Sequence, residues 1–151
     1  MTLIEMLAQE GHGAVEVEEA AKGTPPRIIT LIGPIRCWWT EWNSPRHQEY
    51  VKWRDALRVA LVKKGYLVYS PHRAIQGRWH PNAQIINDAA ILASDLVINL
   101  KPNGVPAEGT DKESRLVYSK YIPMLHAPPG NDKDLQDLVE NQIPIILRAR
   151  I

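Results

Sequence analysis

The segment "AEGTDKES", Ala107 to Ser114, holds the carboxylate on which a reading of this 151-residue chain turns. Glu113 stands three residues after Thr110, and two chemistries fit that spacing. One is the capping box S/T-x-x-E, in which a threonine hydroxyl and a glutamate satisfy each other's backbone donors at a helix start. In the other, a carboxylate just after a glycine loop at the C-terminal edge of a sheet stands where open α/β sheets gather ligands, and serves as a nucleophile. A helix N-terminus would lower the pKa of such a carboxylate and keep it ionised.

Asp88 and Gln84 are four apart, which puts them on one face of a predicted helix. An aspartate can give up a proton at neutral pH only where burial or a second carboxylate raises its pKa, and Glu113 could supply that coupling. An exposed helix face is the plain alternative. Arg36, Arg73, Arg78, His72 and His80 fall in two predicted loops at the same sheet edge. The planar fork of arginine suits a phosphate, so a 5′-phosphate clamp is one reading and solvated loop arginines the other. His72 and His80, with no obvious third ligand, make a poor metal site. Trp38, Trp39, Trp42 and Trp79, from the same loops, could stack on a base, wall off water, or pack against an N-terminal arm or a second subunit.

The elements that must position these groups alternate along the chain. "RIITLIG" reads as a strand buried on both faces and stopped by Gly33-Pro34. "SPRHQEYVKWRDALRVALVKKG" reads as a helix with Ser44 at the N-cap, Pro45 at its first position, and Tyr50, Trp53, Leu57, Ala60 and Leu61 on one stripe. Then follow "YLVYS" as strand, "NAQIINDAAILAS" as helix, "DLVINL" as strand, "DKESRLVYSK" as helix, "YIPMLHA" as strand, "DKDLQDLVEN" as helix and "IPIILRA" as strand. Asp95 reads as a turn residue bonded to its own backbone. Five strands interleaved with four helices predict an α/β fold: a doubly wound, five-stranded, mostly parallel sheet of flavodoxin or Rossmann type with helices on both faces. Residues 1–26, a short amphipathic helix and an acidic stretch ending in Pro25-Pro26, read as an N-terminal helix and flexible arm, and residues 27–151 as the domain.

Composition narrows the function classes. With 18 basic and 17 acidic side chains the chain lacks the overall charge of a nucleic-acid binder, so no polymer partner is expected and any anion site must be local. A single cysteine, Cys37, excludes an internal disulfide and a cysteine-rich zinc site. No apolar run resembles a signal peptide or a membrane span, which leads to the expectation of a cytoplasmic protein. Five Trp, five Tyr and no Phe give every aromatic ring a polar handle, as suits a wet or ligand-facing surface.

Three of these segments, "LIGPIR", "NDAAILASDLVINL" and "GTDKES", in this order and on alternating elements, resemble the nucleoside 2-deoxyribosyltransferase-like superfamily, which includes nucleoside deoxyribosyltransferases and nucleotide N-glycosidases. The resemblance runs from about Ile28 to Pro128. It implies that Glu113 is the nucleophile and that Asp88, after Asn87, is the acid near the base. Gly109, Thr110 and Asn87 would belong to the substrate site by the same resemblance; the shared helix face adds Gln84, and the loop reading adds Gly33, Arg36, Trp39, His72 and Arg78 as expected substrate-binding residues. The aspartate the family carries six residues before the glutamate is Ala107 here, with Glu108 one place later, and the tyrosine often found on its first strand is replaced around Thr30. The "GPIR" turn followed by tryptophans looks nearer to a divergent or nucleotide-directed branch than to the standard transferases. The implied substrate is a nucleoside or nucleotide, handled without cofactor or metal by a homo-oligomer.

Overall fold

The computed structural model of the protein describes residues 27–34, 44–70, 83–105 and 107–149. The N-terminal arm and the two loops carrying Arg36, Trp38, Trp39, Trp42, His72, Arg73, Arg78, Trp79 and His80 lie outside the described residues, and so do the expectations placed on them.

Four short apolar runs form one parallel sheet: β1 (Ile28–Ile32), β2 (Leu67–Tyr69), β3 (Leu96–Asn99) and β4 (Met124–His126), in the order β2-β1-β3-β4. Ile28 pairs with Leu67, Thr30 with Val97, and Ile98 with Leu125. The helices among the described residues are α1 (Pro45–Lys63), α2 (Ala83–Leu92), α3 (Glu108–Ser119), α4 (Asp132–Asp137) and α5 (Ile143–Arg148). Helix α1 starts as its sequence requires, with Ser44 Oγ accepting from the His47 amide and Pro45 where no amide proton is needed.

Helices cover both faces because the strands alternate their side chains between two apolar layers. On one face Ile29, Leu31, Val68, Leu96 and Ile98 meet Tyr50, Trp53, Leu57 and Leu61 of α1 and the chain's last turns at Leu138, Val139, Ile143 and Leu147. The Trp53 indole donates to the Ala127 carbonyl at 2.9 Å, which ties α1 to the end of β4. On the other face Leu67 and Tyr69 meet Ala90 of α2, while Ile32 and Val97 meet Ile91 and Val117 of α2 and α3. No helix among the described residues is long and apolar enough to cross a membrane.

Two expectations are corrected. The run expected as a fifth strand is helix α5: α4 continues through a π-helical turn, Leu138–Gln142, into Ile143–Arg148, so the sheet has four strands among the described residues. The Ile143 amide reaches back five residues to the Leu138 carbonyl, opening the ladder just ahead of Pro144, which has no amide proton to give. The extra residue brings Leu138, Val139, Ile143 and Leu147 onto one buried face, an apolar area that a lone edge strand would leave half in water. Asn141 and, less strongly, Gln142 donate to Asp137 across this turn and hold its carboxyl below the usual range. The second correction concerns Asp95. Its Oδ2 accepts from the Ile28 amide at 2.8 Å and its Oδ1 lies 3.6 Å from Arg27, so it fastens the start of β1 to that of β3.

Candidate active site

The chain runs from β1 out to β2 on one side, then crosses back to β3 on the other. The C-terminal ends of β1 and β3 therefore flank the point where the winding reverses, the place where open α/β sheets hold ligands. Gly33 leaves β1 there and is buried. A Cβ on it would overlap the Tyr50 hydroxyl and press on Leu100, so its described role is to let α1 approach the sheet.

Helix α3 brings Glu113 to this edge, but not through the expected capping box. The N-cap is Ala107, no side chain caps the helix, and Asp111 N already bonds to the Ala107 carbonyl at 2.9 Å. Thr110 and Glu113 consequently lie inside the helix and cannot exchange terminal bonds, which corrects the capping reading. Acidic Glu108 and Asp111 occupy the first turn, where the helix dipole favours them. Gly109 is exposed with open space where a side chain would project, while Thr110 is buried. The second turn of α3 is anchored to the end of β3: Asn99 Nδ2 donates to Ser114 Oγ at 3.2 Å, and Ser114 Oγ donates to the Thr110 carbonyl at 3.0 Å. Lys101 bridges to Asp111 at 3.1 Å, and a ring nitrogen of His126 lies 2.7 Å from the Lys101 carbonyl, so the β3–α3 loop is held from both sides.

Glu113 itself is only 8% exposed, and its Oε2 has no hydrogen-bond partner among the described residues. Burial, and then the negative charge of Asp88 on α2, push its carboxyl up to about 7. The expectation of a carboxylate kept ionised by a helix N-terminus is thereby reversed, because loss of solvent and a like charge outweigh the dipole one and a half turns in. Near neutral pH the group divides between its protonated and ionised forms.

Helix α2 positions the partner groups. Gln84 Nε2 donates to Asp88 Oδ1 at 2.7 Å, so these two residues share a face as their spacing predicts. Asn87 is buried toward the sheet, where its Oδ1 accepts from the Tyr69 hydroxyl at 2.5 Å. Sequence reasoning missed Tyr69; its place as the last residue of β2, just before a loop at the ligand-bearing edge, was the available signal. Thr30, at the position of the family's tyrosine, lies deeper under α2 and pairs with Ser94 Oγ at 2.6 Å.

The structure thus joins Gln84 to Asp88 and sets Asp88 near enough for its charge to act on Glu113, with Asn87 and Thr110 buried on the same two helices. A separate cleft of about 210 Å³ opens at the same sheet edge on the α1 side, lined by Arg46, Tyr50, Pro102, Asn103 and Pro128 among others. Among the described residues no cluster of His, Cys, Asp and Glu could hold a metal ion. Compared with known protein families, with curated proteins and with solved structures, the chain matches none.

Proposed function

We propose that this protein breaks the N-glycosidic bond of a (deoxy)nucleoside or nucleoside 5′-monophosphate, passing the sugar to water or to another base, with Glu113 as nucleophile and Asp88 as the group that handles the proton. The observation that carries the reading is a buried glutamate, one oxygen of which no described residue reaches, that feels the charge of a second carboxylate at the reversal point of the sheet. A purely structural glutamate at such a depth would have found donors, since an unsatisfied buried polar atom costs about 1–3 kcal/mol.

The chemistry needs both carboxylates. Departure of a base leaves oxocarbenium character on the sugar, which an anionic oxygen beneath the anomeric carbon captures, while the base nitrogen needs a proton. Retaining glycosidases divide the same work between two carboxyl groups, here by analogy from O-glycosides. The motif resemblance points to the same two residues, and the sequence as written needs no cofactor. Self-association is part of the proposal: Tyr118 and Tyr121 at the end of α3 are 65% and 91% exposed, as suits a surface that meets a partner.

Base release from a panel of nucleosides and nucleoside monophosphates, followed chromatographically, tests the reading. Release that disappears in Glu113→Gln supports it; binding without release from any member identifies a binding protein instead. Light scattering at micromolar concentration tests the assembly, and a monomer there contradicts that part.

A further inference from the structure

One asparagine stands apart from the others among the described residues. Asn87 accepts from Tyr69, Asn99 donates to Ser114 and accepts from the Lys101 amide, Asn131 accepts from the Asp134 amide, and Asn141 donates to Asp137. Asn103 is exposed, and no described residue bonds its carboxamide. It is also the one described asparagine that a glycine follows.

The turn that carries it is open at its tip and fastened at its ends. Val105 N donates to the Pro102 carbonyl at 3.3 Å, Gly104 has φ +75°, and Asn103 keeps an ordinary φ, so these four residues make a type II turn. Nothing lies within 4 Å of where a Cβ on Gly104 would stand, and its amide makes no hydrogen bond within the described residues. Pro102 and Val105 on either side are buried.

A backbone nitrogen reaches the side-chain carbonyl carbon of a preceding asparagine through a five-membered ring. A Cβ on the attacking residue obstructs the approach, a helix or sheet bond occupies the nitrogen, and a bonded carboxamide is held away from it. All three obstacles are missing at Asn103-Gly104. At each of the other described asparagines the next residue has a Cβ and the carboxamide is bonded.

We propose that Asn103-Gly104 is a site of covalent self-modification, at which the asparagine loses its amide through a cyclic imide. The Gly104 nitrogen bonds to Cγ of Asn103, the bond from Cγ to the side-chain nitrogen breaks, and the Gly104 amide proton leaves with that nitrogen as ammonia. Water then opens the ring. Cleavage between the Gly104 nitrogen and Cγ leaves an aspartate; cleavage at the backbone carbonyl leaves an isoaspartate, whose main chain runs through the former side chain. Either product adds a carboxylate to the cleft that Asn103 lines with Arg46 and Glu49. The isoaspartate also adds a backbone atom between two buried residues, so the turn must shift, and with it the loop that Lys101 ties to Asp111 and His126.

The test is ageing of the full chain in mildly acid and mildly alkaline buffer at body temperature, followed by digestion at acid pH and weighing of the peptides. The peptide carrying Asn103 is expected to gain the mass of an amide turned to an acid, many-fold sooner than those carrying Asn87, Asn99, Asn131 or Asn141. Alkali should speed the gain, because the attacking nitrogen gives up its proton more readily there. The product should separate into two species of equal mass, one of them a substrate for isoaspartyl methyltransferase. Asn103→Gln, which would need a six-membered ring, should stay unchanged.

An amide at Asn103 that persists through ageing long enough to convert the urea-unfolded chain overturns the proposal. So does a single product without isoaspartate, since direct hydrolysis by water needs no help from Gly104. Thermal melting reads the effect on the loop: isoaspartate-enriched protein should melt below Asn103→Asp, which has the same charge and the ordinary backbone. Equal melting of the two would overturn the shift of the turn.

Discussion

Two helix starts in this protein carry the same kind of pattern and use it in opposite ways. At Asn131-Asp132-Lys133-Asp134 the box is closed: Asn131 Oδ1 accepts from the Asp134 amide at 2.9 Å and Asp134 Oδ2 accepts from the Asn131 amide at 3.0 Å. At Thr110-Asp111-Lys112-Glu113 the helix has already begun at Glu108, so the glutamate lies inside it, buried and with one oxygen that no described residue reaches. The exposed carboxylate with its donor supports the fold. The buried one, with an Oε2 that no described residue reaches, works against it.

The sign of that second effect follows from linkage. Glu113 titrates near 7 in the folded protein against an ordinary 4.5, so between these values the folded state binds more protons than the unfolded one. Stability therefore falls as pH rises through this window. Above it the full penalty is present, about 3 kcal/mol as an upper figure from the size of the shift. A carboxylate that weakens its own fold near neutral pH, buried and within reach of the charge of a second carboxylate, has the character of a functional group.

The contrast can be broken by substitution, and the largest effect should be on turnover. Glu113→Gln should lower base release by roughly a thousandfold or more, because an amide forms no glycosyl ester, whereas Asp134→Asn should leave release unchanged. Equal activity in both variants would erase the distinction. The next effect is on stability: at about pH 8, Glu113→Gln should raise the unfolding free energy by up to about 3 kcal/mol, and at about pH 5 by little. Urea melts at the two pH values read this directly, and a variant less stable than wild type at the higher pH would mean that the carboxylate has partners after all. Smaller still is the difference between the two cap positions. Asn131→Ala should cost about 1 kcal/mol as a lost cap, while Thr110→Val, nearly isosteric, should cost less than about half of that. A full capping penalty at Thr110 would restore the box there.

The same comparison shows what the sequence could reveal. The four strands and the α1 stripe were legible because their apolar periods are long or regular and their ends carry Ser44-Pro45 and Gly65. The shared face of Gln84 and Asp88 was legible for the same local reason. The start of α3 was not, since Ala107 caps with no side-chain signal and a matching box stands one turn later. Helix α5 was misread as a strand because "IPIILRA" is too short to distinguish a period of two from one of 3.6, and the preceding π turn that sets its phase leaves no mark in the sequence. The pairing of Tyr69 with Asn87 and the burial of Glu113 under α2 depend on chain segments meeting in space.

The central claim is that Glu113 attacks the sugar, and covalent capture tests it most directly. Wild-type protein incubated with a nucleoside or nucleotide substrate, or with a slow fluorinated analogue, is digested and its peptides are weighed. The account predicts that the peptide carrying Glu113 gains the mass of one sugar and that Glu113→Gln shows no gain. Base release with the sugar on another residue, or full release from the glutamine variant, would contradict it.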